Sequence, residues 1–407
     1  MDYKPLKKLF HLYGWDKLES EYEIRKNSYS TFMTEIFINP IQDEKQKRDV
    51  SNPLFFVVTK ELALKLESVL NNSAKIKYLS SLQPGIANES YIKYLLINEL
   101  QSTNEIENVR STKKEIAASI NKTKGSNKRF DGLVNQYLMI KNEGVDFNTL
   151  SDIRKIYDSI VSSEIKEKDL PDGNLIRKKP IGVFDEGKNK WIHRNEFTEP
   201  EIYEFLTLIL EFIKRYNAPE VFKIMASHFM FEYLHPFYDG NGRLGRYLLA
   251  KLLNDNLDSF TALTFSYVVN NNKSKYYKSF ENVSNFYNKG ELTDFIGDML
   301  QMLIEGQENI IETFENNYEV IIRLENALKS RGLNKYEFAV LFILLQDKVF
   351  GSKYSRISLK SLKDYVGFSR NKINEAINIH KDKLIRIQKN PAIYEVKESF
   401  IEELLTE

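Results

Sequence analysis

His235-Pro236-Phe237-Tyr238-Asp239-Gly240-Asn241-Gly242-Arg243-Leu244-Gly245-Arg246 lies between two apolar runs, and the rest of the chain is read outward from it. Before it, Val221, Phe222, Met225, Phe229 and Tyr233 fall at helical spacing, so residues 221–234 are expected as a buried helix. Pro236 stops that helix, because the residue before a proline disfavours the helical region. After the motif, residues 244–253 repeat the pattern and predict a second helix beginning near Gly242 or Arg243. Gly240, Asn241 and Gly242 then form a tight turn. Its amides, with the positive end of the second helix, make a cup for anions.

The side chains around the cup suit phosphate chemistry. Arg243 and Arg246 stand three apart in a first turn, where their guanidinium forks can take phosphate oxygens bidentately. Arginine there opposes the helix dipole, a conflict that an anionic ligand removes. Asp239 beside the cup is placed as magnesium carboxylates usually are, next to phosphates. With His235 as base, the set predicts phosphoryl or nucleotidyl transfer from a magnesium nucleotide to a hydroxyl. His228, seven residues before His235, could join Asp239 on a metal, but no second ligand pair clusters with it and a packing role is expected.

His-x-Phe-x-Asp-Gly-Asn-Gly-Arg-x-x-Arg resembles the signature of Fic-domain proteins, with every defining position filled. The resemblance implies a mainly α Fic helical core and transfer of AMP from ATP to a protein Ser, Thr or Tyr. By position it makes His235 the base and Asp239 the magnesium ligand. Gly240, Asn241, Gly242 and Arg243 become the phosphate cradle, Arg246 the grip on the γ-phosphate and Phe237 the loop's anchor. Tyr276 and Tyr277 resemble the family's tyrosine pair near the nucleotide. Ser284, with Asn285 beside it, stands where the family often has an Asn for adenine, so ATP is expected while UTP and GTP stay open.

Upstream, Thr103-Asn104-Glu105-Ile106-Glu107-Asn108 resembles the Fic inhibitory motif at the end of a helix expected over 89–107. Thr103 and Glu107, four apart, project from one face. A carboxylate lodged beside Arg246 would neutralise it and fill the space a γ-phosphate needs, an inhibitor in cis. Residues 179–184 and 190–193, around the polar turn 185–189, read as a β-hairpin. The resemblance makes this the flap along which a target protein lies over 181–193 as an added strand, and sets Gly182 among the nucleotide-binding groups.

Length allows two or three domains, expected as an N-terminal helical packing domain at 1–95, a Fic core at 96–320 with the inhibitory helix near 96–108, and a third at 321–407. In the third, helices at 335–345, 358–366 and 370–380 and a hairpin at 384–396 resemble a winged helix-turn-helix, making DNA a partner through 358–389 and a protein the alternative. Lys and Arg number 58 against 57 Asp and Glu, so no global field recruits polyanions. The absence of cysteine excludes disulfides, zinc-thiolate sites and thiol nucleophiles. No run of eighteen apolar residues and no signal-like N-terminus occur, so a soluble cytoplasmic protein without membrane contact is expected. The expected activity is AMPylation restrained by Glu107, with self-modification included. Alternatives are a deAMPylating hydrolase using the same site, or a transcriptional regulator whose core senses nucleotide.

Overall fold

The run expected as a buried helix forms Glu220–Leu234, and burial covers every residue of it apart from Glu220 and Glu232. A helix apolar on all sides belongs in the middle of a bundle. In this computed structural model, which describes residues 3–121, 129–140, 147–161, 165–185 and 190–406, it packs against Glu199–Arg215, Asn241–Asn256 and Thr293–Ser330. The fold is mainly helical, with small antiparallel strand pairs.

Local chemistry explains the helix starts. Thr198 and Glu201 form a capping box ahead of Glu199–Arg215, with Pro200 in the first turn. Leu150–Val161 is capped by Thr149. Thr149 Oγ1 accepts the Asp152 amide at 3.2 Å, while the Asp152 carboxylate accepts the Thr149 amide and hydroxyl at 3.1 and 2.8 Å. Most of the polar turn expected at 185–189 lies outside the described residues.

Within the first 95 residues, the strand Asn52–Val57 pairs antiparallel with Thr31–Ile38. Lys60–Leu82 and the next helix, Ala87–Ile106, are joined by only a few residues. That upstream helix passes through the expected 95/96 boundary, and Thr293–Ser330, 38 residues long, passes through 320/321. Apolar packing is continuous from Ile36 to Leu404.

At the C-terminal end, Lys335–Phe350, Leu359–Val366 and Arg370–Ile379 precede the strands Leu384–Gln388 and Ile393–Val396, in the element order expected there. Gly367 takes φ +68 and ends the middle helix of the three. A further helix, Glu398–Thr406, follows. Among the described residues, no helix is long and apolar enough to cross a membrane.

Candidate active site

His235 caps the C-terminal end of the central helix in the left-handed region, φ 48 and ψ 66, where a non-glycine residue must be held by its surroundings. Several bonds hold it. Its ring Nδ1 donates to the Glu232 carbonyl at 2.5 Å, and its backbone amide donates to the Phe231 carbonyl at 3.1 Å. Arg177 Nε donates to the His235 carbonyl at 2.7 Å and Nη2 to the Leu234 carbonyl at 3.3 Å. Asn195 Nδ2 donates to the Tyr233 and Leu234 carbonyls at 3.0 and 2.9 Å.

Those carbonyls are the ones a helix end leaves without intrahelical partners, so two buried side chains satisfy them. Arg177 Nη1 also donates to the Lys179 carbonyl at 2.6 Å, which ties the helix end to the base of the hairpin Ile181–Asp185 and Lys190–Asn195. With its proton on Nδ1, the ring presents the Nε2 lone pair as a base. Burial pulls the His235 pKa below its ordinary 6.5, against the upward pull of its Glu232 bond and of Glu107.

The loop beyond is pinned from inside. Asn241 Nδ2 donates to the Phe237 carbonyl at 2.8 Å and Oδ1 accepts the Phe237 amide at 3.0 Å. The Phe237 ring, fully buried, stacks on Tyr157 with centroids 3.7 Å apart. Gly240, at φ +81, is the N-cap, and the helix starts at Asn241, slightly earlier than expected. The helix can begin that early because Gly240 absorbs the left-handed turn. Exposed Asp239 accepts the Gly240 amide through Oδ1 at 2.6 Å.

A cavity of about 320 Å³ opens here, lined by His235, Asp239, Gly240, Asn241, Gly242 and Arg246, with Gly182 at the flap and Tyr276, Tyr277 and Ser284 opposite. Glu107 lines it too. Phe229 and Phe280 add apolar wall, and Glu232 and Glu281 add carboxyl groups, none of which the sequence had suggested. Arg243 is buried and does not line the cavity. A three-residue step leaves two helical side chains about 60° apart, enough to aim only one inward. His228 Nε2 and Tyr276 Oη share a 2.8 Å hydrogen bond, and burial holds His228 neutral, with a pKa lowered to about 3.

The upstream helix ends in a Schellman turn. Asn108, at φ 57, donates its amide to the Glu105 carbonyl at 3.3 Å, and Val109 donates to the Asn104 carbonyl at 2.8 Å. Glycine or asparagine suits that position because it lies in the left-handed region. The turn delivers Glu107 to Arg246. Arg246 Nη2 donates to Glu107 Oε1 at 2.8 Å and to the Thr103 carbonyl at 3.1 Å, while Nε donates to Thr103 Oγ1 at 2.8 Å. Burial opposes the Arg246 charge, but Glu107, Tyr276 and Glu232 outweigh it and raise the pKa. Glu232 behaves oppositely: burial pushes it up to about 8, so its carboxyl is largely protonated at neutral pH.

Gly242 makes the approach possible. A Cβ there would lie 2.1 Å from Glu107 Oε1 and 2.9 Å from Arg246 Nη1. The seat is not fully satisfied, since the fully buried Asn104 side-chain amide has no hydrogen-bond partner among the described residues, at roughly 1–3 kcal/mol for such a group.

Asp239 fits a magnesium ion, which commonly uses one or two carboxylates together with substrate phosphates. Its carboxylate is solvent-exposed and borders the anion cup.

Residues 147–253 match the model of the Fic/DOC family, and this segment is a Fic/DOC domain. Among solved structures, a Fic family protein from Desulfovibrio desulfuricans G20 aligns with TM-score 0.50 and 17% identity over 84% of this chain and 97% of that one. A Fic domain containing signaling protein from Bacteroides thetaiotaomicron VPI-5482 gives 0.43 and 18% over 61% of this chain and 97% of its own. Fic-1 from C. elegans gives 0.42 and 15% over 62% and 72%. At such identities the first alignment speaks for the fold alone. No curated protein matches the chain.

Replacing the loop anchor tests how the site is held. Phe237→Ala should lower stability by about 3–5 kcal/mol, read as a lower urea midpoint at unchanged slope. A midpoint within error of the parent would show that the loop does not depend on this ring.

Proposed function

We propose that the chain transfers AMP from magnesium ATP to a hydroxyl side chain of a target protein and is restrained in cis by Glu107. The observation that carries this reading is the 2.8 Å pair between Glu107 and Arg246, inside the cavity that also holds His235, Asp239 and the Gly240 turn. A carboxylate there takes the charge and the space that a terminal phosphate would use. ATP then meets an occupied guanidinium.

When Glu107 is withdrawn, Arg246 and the amides at the start of Asn241–Asn256 receive the phosphates. Apolar walls from Phe229, Phe280 and the Tyr276, Tyr277 pair accept the base, with Ser284 at hand for a polar contact. The target hydroxyl gives its proton to His235 Nε2. Its oxygen bonds to the α-phosphorus, and the bond to pyrophosphate breaks. Asp239 would hold the magnesium ion, which neutralises phosphate charge. Arg177 and Asn195 do no chemistry but fix where the imidazole points.

The target's main chain is proposed to pair with the flap at 181–193, and a copy of the protein itself can serve as target. We place the protein in the cytoplasm, where a cysteine-free chain loses nothing to a reducing environment. The C-terminal surface is proposed to bind DNA. Within 358–389, Lys360, Lys363, Arg370, Lys372, Lys381, Lys383, Arg386 and Lys389 face Asp364, Glu375 and Asp382, eight against three, a net +5. The helix Arg370–Ile379 exposes Asn371 and Asn378, whose amides can read base edges.

Incubation with α-labelled ATP and magnesium tests the transfer. Glu107→Gly should raise label on protein by about tenfold or more, equivalent to ~1.4 kcal/mol or more, and His235→Ala in that background should return it to blank. Equal labelling of wild type and Glu107→Gly removes the inhibitory role. If instead wild type strips label from modified protein, the hydrolase reading replaces transfer.

In the Glu107→Gly variant, the acid limb of the rate profile should fall below pH 6.5. A depressed histidine stays unprotonated as pH drops, and the rate is lost only on crossing the lowered value. A limb at or above 6.5 contradicts His235 as the buried base. For DNA, a gel-shift titration should show binding that weakens steeply with salt, and no binding at low ionic strength ends the proposal.

A further inference from the structure

The upstream helix Ala87–Ile106, about 30 Å long for its 20 residues, is gripped at both ends by different parts of the protein. One end is the Glu107 contact with Arg246. At the other, Gln346 Oε1 accepts the Ile86 amide at 2.8 Å, Ser90 Oγ donates to Asp347 Oδ1 at 3.0 Å, and Tyr365 Oη donates to the Glu89 carboxylate. Gln346 and Asp347 belong to Lys335–Phe350 and Tyr365 to Leu359–Val366, the first two of the C-terminal helices.

This grip is built into the core. Ser90, Gln346 and Asp347 are all buried, and a Cβ on Gly85, at φ +48, would lie 2.4 Å from Gln346 Oε1. Asp347 is wired onward. Its Oδ2 accepts the Ile357 amide at 3.1 Å, and its carbonyl accepts Arg356, whose Nε meets Glu395 Oε2 at 2.6 Å on the strand Ile393–Val396. A continuous set of hydrogen bonds therefore runs from the terminal hairpin to the start of the upstream helix. Leu95, Leu96 and Leu100 of that helix share one apolar core with Leu341, Leu344 and Leu345.

We propose that the C-terminal helices set the position of the upstream helix and, through it, whether Glu107 sits on Arg246. The inference rests on the inhibitory reading of Glu107. A helix transmits axial displacement with little bending, and shifts of about 1–2 Å are a usual scale for helix switching. A shift of that size carries a 2.8 Å pair out of hydrogen-bond range. Tyr365 lies on the same segment as the basic surface, so a ligand there acts directly on the Glu89 bond. By reciprocity, ATP at the active site changes that ligand's affinity by the same factor.

The test uses the full chain with Tyr365→Phe and Ser90→Ala, alone and together, neither residue lying in the cavity. Removing such bonds should speed hydrogen exchange at amides 100–108 by about threefold to tenfold and raise labelling from ATP by a similar factor. Combined with Glu107→Gly, the same changes should add nothing. Exchange at 100–108 that stays at the wild-type rate, even when 86–93 exchanges faster, overturns the proposal. A further gain in the Glu107→Gly background does so too. If Glu107→Gly itself carries no label, the transfer reading has failed, and exchange at 100–108 alone decides this one. Should the double variant not fold, Tyr365→Phe at its partly exposed position is read in the same way.

Discussion

A guanidinium buried at the bottom of a cavity cannot stay unpaired, and the Arg246 charge organises the site on that account. Removing one partner of a buried ion pair commonly costs about 3–5 kcal/mol, because a desolvated charge is left behind. An anionic partner for Arg246 is therefore strongly favoured. In this structure the anion is Glu107, with the Thr103 hydroxyl accepting from Nε and the Thr103 carbonyl from Nη2. Any phosphate that enters must offer at least as much, and the helix N-terminus beside it supplies the extra field that lets it do so. On the proposed reading, inhibition and binding are two occupations of one cation.

The second constraint is that the central helix must stop abruptly and still present a usable imidazole. Left-handed geometry at His235 turns the chain within a single residue. The carbonyls released by that turn go to Arg177 and Asn195 rather than to water. Since Arg177 precedes the hairpin and Asn195 ends it, the strand pair and the His235 ring are positioned by the same bonds. Burial pushes the Glu232 carboxyl in the cavity wall up to about 8, while Glu107 is the foremost of the groups that raise the Arg246 pKa against its burial.

Much of this was legible in the order of residues. A dense motif between two helical runs fixes the helix-turn-helix geometry at the cup, and the spacing of Thr103 and Glu107 fixes that they share a face. Arg177 was not legible, because a lone arginine in a loop leaves no periodic trace. Only the need to satisfy a buried helix end would have pointed to it. Likewise the strand Thr31–Ile38 shows its place only through its pairing with Asn52–Val57, and Thr293–Ser330 passes Gly306 and Gln307, polar or small positions that the structure buries. Arg243 shows the limit of spacing arguments, since sharing a first turn with Arg246 did not bring it to the cavity wall.

Gly242 carries one last implication. The carboxylate reaches its seat only because residue 242 has no side chain, and the start of the motif helix is also where phosphate oxygens would come to rest. Both occupants depend on the same small gap, so no mutation at 242 can favour one of them without injuring the other. In the proposed switch, residue 242 is closed to tuning, whereas the firmness with which the helix bringing the glutamate is anchored stays open to it.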